Sequence, residues 1–252
     1  RLKKEVLKDL PDKIEKNMAA CMEQKQKELY HAHAQRLALM LQNQTEEEFA
    51  DSRFQVLSEL TRLRQLCCDP ALVYENYEGG SAKLDLCIEL IQSAVESGHK
   101  ILLFSQFTSM IEILTARLQE ESISYFVLQG STKKEQRAQM VEQFNRDDTS
   151  VFCISLKAGG TGLNLTGADI VIHYDPWWNV AVENQATDRA HRIGQKNVVT
   201  VYKLIAKGTI EEKIIKLQQR KKELAEEILS GDEIKTASFQ REELLELLEE
   251  RF

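Results

Sequence analysis

The stretch Val151-Phe-Cys-Ile-Ser-Leu-Lys-Ala-Gly-Gly-Thr-Gly-Leu-Asn-Leu165 decides the fold. Val151 to Ser155 is a short apolar run, the pattern of a strand buried on both faces of a parallel sheet. The turn after it holds Gly159, Gly160 and Gly162 and one cation, Lys157. Glycines let backbone N–H groups come close to an anion, and open α/β sheets bind ligands at the carboxyl ends of their strands. Two phosphate loops are excluded. G-x-x-x-x-G-K-[ST] occurs nowhere, and G-x-G-x-x-G begun at Gly160 would need glycine where Leu165 stands. Taken alone, the loop also fits a tight turn without a ligand.

Working outward, the strand-then-helix unit recurs. Lys100–Phe104, Ser124–Leu128, Asp169–Tyr174 and Val199–Ile205 read as further strands. Helices are predicted between them, with Leu84, Ile88, Ile91 and Val95 on one stripe and Phe107, Ile111, Leu114 and Leu118 on another. Ser81 is a candidate cap for the first. A Thr132–Glu135 capping box opens a helix through Phe144, and a further helix runs to about Ile193 with Gly194 as its C-cap. This alternation predicts an α/β fold, a parallel sheet with helices on both faces. The flanks read as helical. Residues about 22–66 form one part, and a Thr209–Glu212 capping box opens a helix carrying Ile210, Ile214, Leu217, Leu224 and Ile228. The expected division is 1–70 as a helical segment, 71–208 as the α/β core and 209–252 as a long helix with an acidic tail.

Composition sets the class. With 42% hydrophobic and 29% charged side chains over 252 residues, the chain has enough apolar surface for a core, which excludes a disordered tail. A net charge of −7, read naively, argues against nucleic acid. The charge is uneven, however: residues 211–252 carry 8 basic against 12 acidic side chains. Ten of the 11 glycines lie between Gly79 and Gly208, which assigns the turns to the core. The five cysteines include no Cys-x-x-Cys pair, against a zinc ribbon or a disulfide framework and in favour of buried thiols. No apolar run reaches the ~18–20 residues of a membrane span. The first residues are too charged for a secretory signal, and a start at Arg1 suggests a piece of a longer protein.

Four further loops carry polar groups. In Gln185-Ala-Thr-Asp-Arg-Ala-His-Arg-Ile-Gly-Gln195, a helix would bring Gln185, Arg189 and Arg192 to one face, and planar guanidinium donors suit phosphate oxygens. A solvated face with an Asp188–Arg192 ion pair fits equally well. Gly130-Ser131-Thr132 suits a phosphate or a plain helix cap. Ser105-Gln106 is a weak polar pair. Tyr174-Asp-Pro-Trp-Trp-Asn179 offers adjacent tryptophans for stacking or for loop burial. His31 and His33 are two apart and cannot share a helix face as metal ligands.

Together these stretches resemble the C-terminal RecA-like lobe of a Swi/Snf-type superfamily-two ATPase, and their wording is closer to bacterial members. Ile101-Leu-Leu-Phe-Ser-Gln-Phe-Thr108 resembles motif IV, Gln129-Gly-Ser-Thr132 with Arg137 and Phe144-Asn145 motif IVa, Ser155–Asp169 motif V, and Gln185–Gln195 motif VI. Val201–Ile214 is similar to the segment leading into the family's brace helix. Leu63–Pro70 and Arg1–Pro11 are similar to the entry into lobe two and the exit from lobe one. Two departures stand out: Val180 where proline is usual, and Gly167 where alanine is usual.

The resemblance implies half of a DNA-dependent ATPase that translocates on double-stranded DNA. ATP with Mg2+ would sit between two lobes, with the Mg2+ ligands on a missing lobe one. Arg189 and Arg192 would be arginine fingers and Gln185 a nucleotide-site contact. Asp188, Gly160 and Gly162 would belong to the cofactor side. Ser105, Gln106, Ser131, Thr132, Lys157 and Gly159 would hold DNA phosphates, and Trp178 would pack on the duplex. The expected partners are double-stranded DNA without sequence preference and lobe one. No membrane association is expected, and the fragment is expected to be monomeric and to be inactive alone. The location would be the cytoplasm, at the nucleoid, for a bacterial member and the nucleus for a eukaryotic one. Two rival readings are a lobe from an RNA helicase of the DEAD-box type and a non-enzymatic scaffold. The first is opposed by the wording of motif VI, the second by the intact Arg189 and Arg192.

Overall fold

Unbroken apolar runs become strands here because each can be covered on both faces. The computed structural model describes residues 10–159, 162–227 and 241–248. In chain order the elements are β1 (Lys13–Ala20), α1 (Gln24–Gln42), α2 (Glu46–Cys68), α3 (Ala82–Glu96), β2 (Ile101–Ser105), α4 (Thr108–Glu120), β3 (Tyr125–Leu128), α5 (Lys134–Arg146), β4 (Val151–Ser155), β5 (Ile170–His173), α6 (Val180–Thr187), β6 (Val199–Ala206), α7 (Ile210–Glu227) and α8 (Arg241–Leu248). Short 3-10 turns cover Pro70–Leu72 and Leu156–Gly159.

The chain divides into two compact units. The first contains the segment ending at Ala20 and Leu84–Ile205. Its six strands lie in the order β1-β6-β5-β2-β4-β3. β2 is flanked by β4 and β5, with Ile101 level with Val151 and Phe104 level with His173. These pairings, β3–β4 and β5–β6 are all parallel. The ends of β2, β3, β4 and β5 therefore share one edge, which is where the polar loops begin. The core beneath them includes Leu102, Phe104, Phe144, Phe152, Ile154, Leu165 and Val171. Phe144 and Phe152 meet with ring centroids 5.2 Å apart. Full burial of each such side chain contributes about 1.5–3 kcal/mol.

The second unit holds Cys21–Lys83 and the segment from Ala206. α2 opens with a reciprocal cap: Glu48 N–H donates to Thr45 Oγ1 at 3.3 Å, and Thr45 N–H donates to Glu48 Oε2 at 2.8 Å. Lys83 and Glu211 form a fully buried ion pair at 2.7 Å, and Tyr30 Oη accepts from Ile210 N–H at 2.8 Å. No helix among the described residues is long and apolar enough to cross a membrane.

Several local expectations change. Residues 13–20 form a strand within the segment read as helical. The 22–66 helix is two helices, separated at Asn43–Thr45. The Thr132–Glu135 box does not form: Lys133 is the N-cap of α5, and Thr132 Oγ1 accepts from Gln129 N–H at 3.1 Å. Thr209 Oγ1 instead donates to Ala206 O at 2.7 Å and accepts from Glu211 N–H at 3.2 Å. Ser81 Oγ donates to Cys68 O at 2.8 Å. The expected stripe position Ile228 and the side chain of Leu224 lie outside the described residues.

Candidate functional site

At the β2 and β5 ends, Asp175 is the organising group. It is fully buried and accepts from Ser105 Oγ at 2.6 Å and from Gln106 N–H at 3.3 Å. Ser105 Oγ also accepts from Phe107 N–H at 3.2 Å. The Ser105 hydroxyl is thus buried and engaged inside the loop, and Gln106 is half-buried with its side-chain nitrogen turned away from solvent. Asp175 was not singled out from sequence. Its signal was a carboxylate directly after a buried strand, where only polar company can hold it.

Arg137 organises the β3 and β4 ends. Its guanidinium donates to Thr132 O at 2.8 Å, Gly130 O at 3.0 Å, Ala158 O at 3.2 Å and Gln129 O at 3.3 Å. It therefore ties the Gln129–Thr132 loop to the Leu156–Gly159 turn. Ser131 stays exposed and Thr132 half-buried. Lys157 and Gly159 lie in that turn, Gly160 falls outside the described residues, and Gly162 is exposed with open space where a Cβ would stand.

The motif VI stretch departs from a continuous helix. α6 ends at Thr187, and the chain tightens into turns: Arg189 N–H reaches Ala186 O at 3.3 Å, and Gln195 N–H reaches Arg192 O at 3.0 Å. Gln185 is exposed on α6, whereas Arg189, 5% exposed, and Arg192, half-buried, lie in the turns beyond it, so the three expected residues do not share one helix face; Asp188 is half-buried. Gly194 does take a positive φ of 103°. The Arg189 guanidinium lies 5.3 Å from the Phe104 ring centroid. Burial pulls its pKa down to about 10, which leaves it charged at neutral pH.

This turn is fastened to the glycine loop. Leu165 N–H donates to Arg189 O at 3.0 Å, and Arg192 Nη1 donates to Leu163 O at 3.3 Å. Buried Gln195 Nε2 donates to Ala168 O at 2.8 Å, and its Oε1 accepts from Lys196 and Asn197 N–H, both at 2.9 Å. From the other side, Asn145 Nδ2 donates to Asn164 O at 2.8 Å, and Gly167 N–H donates to Asn145 Oδ1 at 2.9 Å. Gln195 and Asn145 act on distant backbone, which sequence spacing does not reveal.

Below the tryptophan loop, Glu183 accepts from Trp177 N–H at 2.7 Å and pairs with Lys203 at 2.7 Å. Burial alone would raise the Glu183 pKa, but His173, Lys203 and the Trp177 N–H hold it below the ordinary carboxylate value. His173 stacks on Phe104 at 5.5 Å and shares a 3.0 Å hydrogen bond with Thr187 Oγ1. Its burial lowers its pKa to about 4. Trp178 is half-buried at the loop's surface.

Two family models match this chain: the helicase conserved C-terminal domain over residues 82–194 and the SNF2-related domain over residues 1–72. The solved Sulfolobus solfataricus SWI2/SNF2 ATPase C-terminal domain aligns over 96% of this chain and 100% of its own, at 32% identity and a TM-score of 0.76. The chain belongs to the SWI2/SNF2 family, as a C-terminal lobe. A second SWI2/SNF2 structure, the Sulfolobus solfataricus ATPase core in complex with dsDNA, matches at 34% identity and a TM-score of 0.73 over 90% of this chain and 48% of that one. An ATP-dependent helicase of Mycoplasma pneumoniae is 42% identical over 99% of this chain and 24% of its own length. This SWI2/SNF2 lobe spans about a quarter of the curated relatives it matches.

Proposed function

We propose that this SWI2/SNF2 lobe is the second motor lobe of an ATP-dependent double-stranded DNA translocase or remodeller. This reading rests on the fastening of the Arg189–Gln195 turn to the Leu163–Ala168 loop. Nucleotide-side arginines and a loop expected to face DNA are joined through Leu165, Arg192 and Gln195. A change at one is then felt at the other.

The donor chemistry fits a triphosphate. Arg189 stays charged at neutral pH, and Arg189 and Arg192 present planar N–H groups, the arrangement that stabilises charge on a transferring phosphoryl group. Arg189 would have to leave Phe104 to do so. Bound ATP supplies the phosphoanhydride that is cleaved. Gln185 and Asp188 would line the nucleotide side, and Gly160 and Gly162 would let the loop backbone approach. The Mg2+ ligands would come from lobe one.

On the other side, Gln106, Ser131, Thr132, Lys157 and Gly159 would meet DNA phosphates, and Trp178 would pack against the duplex. Ser105 would act through the loop it holds with Asp175. The contacts are to the backbone, so no sequence preference is expected. This reading is supported by the DNA-bound relative. For this chain it is tested by duplex binding: the 252-residue chain, as a monomer, binds DNA weakly and loses affinity steeply with salt. Salt-insensitive binding, or rapid ATP hydrolysis by this chain alone, would refute it.

A further inference from the structure

The sheet edge opposite the motif loops holds a concavity of about 220 Å³ between α3, the start of β5 and β6. Its polar centre is Asp169, which is 8% exposed. One carboxylate oxygen, Oδ2, is taken by His99 Nδ1 at 2.9 Å and Asn197 Nδ2 at 3.2 Å. The other, Oδ1, is buried without a hydrogen-bond partner. Leu90, Ala94 and Ile170 supply apolar wall, Ser93, Ser97 and Thr200 supply hydroxyl-bearing wall, and Tyr202 supplies an aromatic one. Lys16 Nζ lies 5.9 Å from the centroid of that Tyr202 ring, so the ring already receives one cation.

These features define a ligand chemistry. A buried carboxylate oxygen without a donor is unfavourable, and a charge-assisted hydrogen bond relieves it most. The volume is below the ~300–1,000 Å³ of ordinary small-molecule sites, so the occupant is about the size of a side chain. The apolar side of this mixed wall, Leu90, Ala94 and Ile170, fits a methylene stem ending in a cation, and the hydroxyls of Ser93, Ser97 and Thr200 can accept from the cation's remaining N–H groups. An aromatic wall favours a planar guanidinium over a compact ammonium. We propose that this cavity receives a single guanidinium group on an apolar stem, with Asp169 as its acceptor. None of the residues expected to serve nucleotide or DNA lines it, so the site stands independently of the function proposed above.

The test is titration of the isotope-labelled 252-residue chain, followed by amide chemical shifts, with N-acetyl-arginine amide. The neutral isostere N-acetyl-citrulline amide is the control. The arginine compound is expected to shift amides at Ser97–Lys100, Asp169–Ile170 and Asn197–Thr200, and the citrulline compound is not. Asp169→Asn keeps the shape and should weaken binding about tenfold or more, equivalent to ~1.4 kcal/mol. Ser93→Phe, at an exposed position on the α3 rim, should block entry while leaving Asp169 intact. A pentapeptide with central arginine separates the sources. Tighter binding than the capped amino acid assigns the guanidinium to a protein segment, and equal binding assigns it to a free small molecule. Absence of shifts at those amides, equal response to citrulline, or binding that survives both variants would overturn the proposal.

Discussion

Removing Lys83 should be among the most damaging single changes in the helical unit. Its ammonium lies 2.7 and 2.8 Å from the two Glu211 oxygens, with the side chains 1% and 0% exposed. Burial works against the Lys83 charge, but the negative groups around it, Glu211 among them, hold its pKa above the ordinary lysine value. Glu211 Oε2 also accepts from Ala206 N–H at 2.8 Å. Lys83→Met leaves a buried carboxylate without its cation, a change that costs about 3–5 kcal/mol. That is a large share of the ~5–15 kcal/mol that holds a domain folded. Glu211→Gln leaves the ammonium without its counter-charge, at a similar cost. The double variant removes both charges and keeps a carbonyl for Ala206, leaving an amide to satisfy at about 1–3 kcal/mol. The two changes should therefore be strongly non-additive, coupled by ~2 kcal/mol or more. Urea unfolding followed by far-UV circular dichroism gives the three values, compared at constant m. A loss below about 1 kcal/mol in Lys83→Met, or a double variant as damaged as the sum of the singles, would refute the reasoning.

Acid should destabilise the sheet unit through His173. Its pKa falls from 6.5 to about 4, so the folded form resists the proton that the unfolded form takes. Stability is full above pH 6.5 and falls as pH drops towards 4, by on the order of 3 kcal/mol; His173→Phe should flatten this limb of the pH–stability curve. Burial pushes the Cys67 and Cys153 thiols up, Cys153 to about 12, and Cys21 alone of the five is exposed. A thiol reagent should label one cysteine rapidly in the native chain and five after unfolding. Gly167→Ala would put a Cβ 2.9 Å from Asn145 Oδ1 and 3.1 Å from its Cα. Overpacking of this kind should lower the thermal midpoint at a cost of ~1 kcal/mol or more. If the midpoint stays unchanged, Asn145 does not grip the loop.

The sheet was legible because its strands are chemically monotonous. Ile101-Leu-Leu-Phe104 and Val151-Phe-Cys-Ile154 leave no polar face for water, so burial on both sides follows from the letters alone. β1 escaped notice because Lys13–Ala20 lies at the sheet edge and is largely exposed, so its residues carry little apolar signal. At the site, residue types and their loops were readable, while their arrangement was not. Spacing placed Gln185, Arg189 and Arg192 on one helix face. The helix instead ends at Thr187, where Arg189 gains burial against Phe104 and its carbonyl gains the Leu165 N–H. Local periodicity cannot register such tertiary competition. Arg137, Asn145 and Gln195 were invisible as organisers for a related reason: they bond to backbone carbonyls and amides, which carry no side-chain signature.

The role proposed for this lobe is to supply the charge that completes an ATPase. The decisive measurement is DNA-stimulated ATP turnover by this lobe joined to a lobe one, with and without Arg192→Ala. The expected result is a fall in kcat of about 10³-fold or more, the scale of a lost arginine finger. An unchanged kcat would contradict it.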